Sequence, residues 1–142
     1  MQEGWSCLSR HNESRELNID LCSKAGLKTT CEPIIKDSIE GNDSEVLRVD
    51  WGVRGLWESQ REALFDICIC NADAPSYQGK TIDSVFNAHK DFKRKKYAEA
   101  AEHKRASFSP ILATCDGVFD FEAKAYTTAS SIAVKEMVKI VC

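Results

Sequence analysis

The chain has no apolar run long enough to cross a membrane. Its hydrophobic stretches are short and interrupted, whereas a spanning helix needs roughly 20 apolar residues. The first residues, Met-Gln-Glu-Gly-Trp-Ser-Cys, have no basic region leading into an apolar core, so no signal peptide is expected. There is no Walker-type phosphate loop and no Gly-x-Ser-x-Gly elbow, which removes two common catalytic signatures. The aromatic-and-glycine pattern of an RNA-recognition sheet is missing, as is a helix-turn-helix signature. Internal repeats and low-complexity tracts are also missing. What is there is ordinary: 142 residues, 43% hydrophobic and 29% charged, enough for one domain with a real core. A net charge of -3 means that any basic surface must be local.

The seven cysteines are an odd number. Without a secretory signal they read as reduced thiols of an intracellular protein. Cys7 and His11 are four apart, but no second pair of ligands follows at zinc-site spacing, so a zinc centre is not expected. Most of these thiols read as small buried hydrophobes. The last residues, Ile140-Val141-Cys142, fall inside an apolar pattern without a capping signal. Residues 1–142 thus read as a single domain whose C-terminus is truncated.

The most telling stretch is Ala63-Leu64-Phe65-Asp66-Ile67-Cys68-Ile69-Cys70. It reads as a buried strand that is apolar except for one central carboxylate. Asp66, Cys68 and Cys70 share a face, because strand side chains alternate. A lone buried acid is costly unless it is paired, protonated or bound to a cation. Upstream, Val46-Leu47-Arg48-Val49-Asp50 also ends in an acid. Two carboxylates on neighbouring strands suit an oxygen-liganded divalent metal. The plainer alternative is structural: Asp50 caps a turn, and Asp66 is satisfied by Arg48, Arg54 or Arg61.

The remaining elements follow from local signals. Ser9 can cap a helix running to about Lys24, with Gly26 as its stop. On that helix Glu13, Leu17 and Leu21 share one face at i, i+4 and i+8, which puts Glu13 at the end of an apolar, core-facing stripe; local sequence by itself favours the alternative, a solvated first-turn acid suited to the helix dipole. Leu27 to Glu32 is a first strand closed by Pro33. Gly41-Asn42-Asp43-Ser44 is a turn before the second strand, Val46 to Trp51. Residues 63–70 form the third strand. Ile82 to Arg105 is helical, and Ile111 to Cys115 is a fourth strand, reached through Phe108-Ser109-Pro110. Phe121 to Val141 is helical in part. The order predicts an α/β protein with a three-stranded meander and a fourth strand that joins in parallel after a helical crossover.

An αβββαβ order with Glu13 on the first helix, Asp50 on the second strand and Asp66-Ile67-Cys68 on the third resembles the restriction-endonuclease-like PD-(D/E)xK superfamily. More specifically, HNESRE (11–16), VDWGVRGLWE (49–58), QREALFDICICNADAPSY (60–77), KRKKYA (93–98) and FSPILATCDG (108–117) resemble a nuclease-like group associated with eukaryotic mobile elements. The resemblance implies a mixed four-stranded sheet flanked by helices and a metal-dependent DNA nuclease. Asp50, Asp66 and the backbone carbonyl of Ile67 would hold Mg²⁺ or Mn²⁺, and Glu13 would complete the acidic cluster. Lys93-x-x-x-Tyr97 is similar to a helix motif that touches the DNA backbone. A DNA substrate goes with an intracellular, nuclear location.

The chain departs from the pattern where D-x-K calls for a catalytic lysine, because that position is Cys68. A thiol with an ordinary pKa of about 8.5 is mostly neutral at pH 7, and losing a preorganised charge costs on the order of 10²–10³ in rate. Lys90 or Lys93 could reach in from the basic helix, or the metal alone could support slow cleavage. The other outcome is a degenerate relative, or an inactive nucleic-acid-binding module of the same fold. Within residues 90–105 seven Lys/Arg stand against Asp91, Glu99 and Glu102. Lys90, Lys93, Arg94 and Lys96 are therefore candidate phosphate contacts together with Tyr97. Otherwise they form a solvated face that pairs internally. Trp51, Trp57 and Phe65 read as core or loop-anchoring aromatics. His11 and Asn12 read either as approaching the site or as plain helix-capping residues.

Overall fold

A computed structural model describes residues 2–37 and 45–141, with side chains for residues 9–37 and 45–135. The expected turn at 41–44 lies outside the described residues. The elements are α1 (Gln2–Lys24), β1 (Lys28–Cys31), β2 (Ile34–Lys36), β3 (Leu47–Arg48), β4 (Trp51–Arg54), β5 (Glu62–Cys70), α2 (Ile82–His103), β6 (Ser107–Thr114) and α3 (Phe121–Val141). A short 3₁₀ turn spans Pro75–Tyr77. The main sheet has the order β1-β4-β5-β6, and β2 and β3 pair separately. β1 is antiparallel to β4 and β4 to β5, while β6 is parallel to β5. This is the expected α/β architecture, a mixed four-stranded sheet flanked by helices. No helix among the described residues is long and apolar enough to cross a membrane.

The strand alternation of β5 separates two cores. Ala63, Phe65 and Ile67 face one way, where they join Trp51, Val53, Cys22 of α1 and Ala123 and Tyr126 of α3. Leu64 faces the other way, into a cluster with Val49, Leu47, Ile35 and Tyr97, Ala100 and Ala101 of α2. Phe65 is the hub of the first core. It stacks on Trp51 at 5.3 Å and meets Tyr126 edge-on at 4.7 Å.

Four expectations needed correction. First, α1 begins at Gln2 rather than at Ser9, so His11, Asn12 and Glu13 lie in mid-helix and have no capping role. The Ser9 hydroxyl instead donates to Glu13 Oε1 at 3.2 Å. Second, the stripe Glu13–Leu17–Leu21 faces outward: Leu17 is 58% and Leu21 38% exposed. The helix is turned by Cys22 and Ile19, which pack against the aromatic core. At 3.6 residues per turn that choice carries Glu13 away from the sheet. Third, the expected second strand is broken into β3 and β4, with Asp50 in a bend between them. The fourth strand also starts earlier than expected and contains the buried Pro110. That is tolerated because β6 is an edge strand of its sheet and needs fewer ladder donors.

Truncating the aromatic hub should be expensive. Phe65→Ala is expected to lower stability by about 3–5 kcal/mol in urea denaturation. A loss below about 1 kcal/mol would mean that Phe65 does not hold α3 to the sheet.

Candidate acid–lysine–thiol site

The site is built by a match of pitches between α2 and β5. Four helical residues rise about 6 Å and two strand residues about 6.6 Å. Positions i, i+4 and i+8 of α2 therefore fall opposite alternate residues of β5. Tyr97 meets Leu64 in the core. One step along, Lys93 Nζ lies 2.5 Å from Asp66 Oδ2. One step further, His89 Nδ1 lies 3.8 Å from Cys68 Sγ. Thr81 starts α2 by accepting from the Ser84 N–H at 3.2 Å, which sets this register from the helix N-terminus.

Asp50 enters from the neighbouring strand. The β4–β5 register pairs Trp51 with Phe65, and continuing it by one residue puts Asp50 opposite Asp66. The Asp50 N–H donates to the Phe65 carbonyl at 3.0 Å. Its carboxylate Oδ2 accepts from the Ile67 N–H at 2.6 Å and meets His11 Nε2 at 3.1 Å. Ile67 thus touches the site through its N–H, where a metal-facing carbonyl was expected.

The electrostatics follow from this crowding. Burial would raise the Asp50 carboxyl, but hydrogen bonds from His11 and the Ile67 N–H outweigh it and hold Asp50 below its ordinary range. Burial and then the charge of Asp50 push Asp66 up to about 6, against the opposing pull of Lys93. Asp66 Oδ2 is buried and makes no hydrogen bond of proper geometry. The Lys93 contact therefore supplies charge but little directional bonding. Burial works against the Lys93 ammonium, and pairing with Asp66 overcomes it, so the net shift is upward. His11 is raised chiefly by its bond to Asp50. Cys68 falls to about 7, chiefly because the Cys70 thiol donates to it, with Lys93 adding a further pull. The same contact, together with burial, pushes the Cys70 thiol up.

The expected site residues are thus only partly brought together. Asp50, Asp66, Cys68 and Lys93 converge. Of the arginines expected as structural partners of Asp66, Arg54 donates to the Gln60 carbonyl and Arg61 pairs with Glu58; the cation that pairs with Asp66 is Lys93. Glu13 is exposed and bonds to Ser9, so it does not complete the acidic cluster. His11, two residues earlier on α1, takes that place. Tyr97 is only 6% exposed, which makes it a core residue and not a backbone contact. Lys90 is also drawn inward, 2.7 Å from Asp120 with both side chains about 10% exposed. Arg94 pairs with Glu122, and Lys96 with Glu45 at 3.6 Å. These pairs reach other elements rather than Asp91, Glu99 or Glu102. The residues missed in the sequence are His89, Cys70 and Tyr77. The available signal was the shared strand face of Cys68 and Cys70, together with a histidine one helical turn before Lys93.

A raised carboxyl destabilises the fold where it must ionise. Asp66 binds its proton more tightly in the folded protein, at about 6 against 3.8. Its stabilising contribution is full below pH 3.8 and is lost as the pH climbs through 6, by about 3 kcal/mol in all. Urea denaturation of wild type and Asp66→Asn should show the stability difference moving in favour of the variant between pH 4 and pH 7. A pH-independent difference would refute the upward shift.

Comparison of the chain with protein-family models and with curated proteins finds no match.

Proposed function

We propose that the chain is a metal-dependent phosphodiesterase acting on DNA. The observation that carries this reading is the convergence of Asp50 and Asp66 from adjacent strands with Lys93 beside them. The two carboxylates fit a hard divalent cation such as Mg²⁺ or Mn²⁺. Each is an oxygen donor, and the mutual repulsion that raises Asp66 is what a bound cation relieves. Glu13 is not part of that donor set. When bound, the cation supplies Lewis-acid polarisation of the scissile phosphate and lowers the pKa of water.

The chain's own residues do the rest. Lys93 is held protonated by its pairing with Asp66. It presents a fixed positive charge to a phosphate oxygen lying against the acids, the service that Cys68, neutral or anionic, cannot perform. His11 and the Ile67 N–H hold the Asp50 carboxylate ionised and oriented. Asp66, raised to about 6 by burial and by Asp50, is the acid whose ionised form a cation held there would favour.

DNA as substrate, and with it a nuclear location, rests on the sequence resemblance and the phosphodiester chemistry of the site. The inward pairing of Lys90 and Arg94 leaves fewer free cations on α2 than the sequence promised. Binding should therefore weaken with salt less steeply than seven phosphate contacts would require.

The test is cleavage of plasmid and single-stranded DNA in Mg²⁺ and Mn²⁺. The wild type is expected to cut, Asp66→Asn and Asp50→Asn to be inactive, and Lys93→Met to lose 10²-fold or more. Glu13→Gln should retain wild-type activity. No cleavage by the wild type, and none by Cys68→Lys, would overturn the nuclease reading in favour of an inactive binding module.

A further inference from the structure

Beyond the acids, the same face of β5 continues into a second group of ligand-bearing side chains. Cys68 Sγ lies 3.8 Å from Cys70 Sγ and 3.8 Å from His89 Nδ1. All three ligand atoms fall within 4.8 Å of one another. Two sulfurs bound to one tetrahedral zinc ion at about 2.3 Å are about 3.8 Å apart, and a sulfur and an imidazole nitrogen about 3.6 Å apart. The two edges that meet at Cys68 thus already match one face of such a tetrahedron, and the third, between Cys70 and His89, lies within 4.8 Å.

A second observation concerns the other side of the imidazole. His89 Nε2 is 2.9 Å from the Tyr77 hydroxyl. With the Nε2 proton donated to that oxygen, Nδ1 is left as a lone pair facing the Cys68 sulfur. Metal-bound histidines are oriented in this way by a partner on the non-ligating nitrogen. Tyr77 is placed by the 3₁₀ turn Pro75–Tyr77, whose Tyr77 N–H donates to the Ala74 carbonyl at 2.9 Å. The loop after β5 and the first turns of α2 thus cooperate to aim one ring. A buried hydrophobic thiol pair would not need such an arrangement.

We propose that Cys68, Cys70 and His89 form a binding site for a zinc-class ion, with the fourth position open to solvent. Soft sulfur and imidazole donors select zinc over magnesium or calcium, so this site is chemically distinct from the all-oxygen pair of Asp50 and Asp66. Two thiolates and a neutral imidazole cancel the dication's charge. The half-buried Cys68 and His89 leave one side of the group accessible. Three protein ligands with an open vertex are the ligand count of zinc sites that bind water or substrate rather than purely structural ones. The inference does not depend on the nuclease reading, and its readout is not activity.

The experiment is a Co²⁺ titration of the reduced, chelator-treated full chain, followed by absorption spectroscopy. One thiolate-bound Co²⁺ per chain is expected, with a thiolate-to-cobalt charge-transfer band and the intense visible bands of tetrahedral cobalt. Both should bleach on adding one equivalent of Zn²⁺. Cys68→Ser and His89→Ala should each abolish these bands, while Cys31→Ser and Asp66→Asn should keep them. Tyr77→Phe should keep the bands with affinity reduced about 10-fold or more. Circular dichroism establishes that each variant is folded, and His89→Ala, a change on an accessible helix face, serves if Cys68→Ser does not fold. Absence of a tetrahedral thiolate spectrum in the wild type would overturn the proposal. So would a spectrum that survives both Cys68→Ser and His89→Ala, or one lost in Asp66→Asn but kept in His89→Ala.

Discussion

The ion pair of Lys93 with Asp66 is the contact on which the arrangement of the site depends. It bridges the crossover helix α2 and the central strand β5 at a point where both partners are largely withdrawn from water. Neither partner is comfortable there alone. Burial pushes the carboxyl toward its neutral form and the ammonium toward losing its proton, and each opposes that tendency in the other. A buried pair of this kind adds little net stability compared with an apolar substitute, but it strongly disfavours any register in which one partner is left unpaired. Slipping α2 by one residue would swing Lys93 away from Asp66 and His89 away from Cys68 at once.

Asp50 adds a constraint of the opposite sign. Like charges directly opposite one another on neighbouring strands are destabilising, and the chain accommodates this one by interrupting its strand. The bend between β3 and β4 lets the Asp50 carboxylate take the Ile67 N–H and the His11 ring. The asymmetry follows: Asp50 is well solvated by protein donors and is held below its ordinary range, whereas Asp66 has only Lys93 and is raised to about 6. Two acids in different environments a few ångströms apart are an arrangement typical of functional sites.

Much of the positive charge on α2 serves internal ends. Lys90 and Arg94 tie the helix to the start of α3 through Asp120 and Glu122, and Lys104 Nζ donates to the Ile34 carbonyl at 2.7 Å. The local excess of cations in this segment is therefore explained largely by acids and carbonyls that are distant in sequence. The same geometry sets a hard, oxygen-rich pair and a soft, sulfur-rich group side by side along one strand face, with Lys93 close to both.

Strand alternation was legible in the sequence: it placed Asp66, Cys68 and Cys70 on one face of a buried strand and implied the meander with a parallel fourth strand. The pairing of two acids on neighbouring strands was legible too, from their position at the end of one strand and the centre of the next. The facing of the helices was not. Glu13 was read onto a core-facing stripe from local periodicity, but Cys22 and Ile19 found better partners among the aromatics, and helical geometry then turned His11 toward the sheet instead. Lys90 read as a surface residue because local charge patterning does not reveal which acids lie across the interface, whereas Tyr97, a backbone contact only through the family resemblance, is in the core. What the sequence by itself determined is the set of side chains that one strand must present together, because the period of two is a property of the backbone. Only the tertiary structure decided which helix residues meet them, because the rotation of a helix about its axis is set by packing against elements far away in the chain.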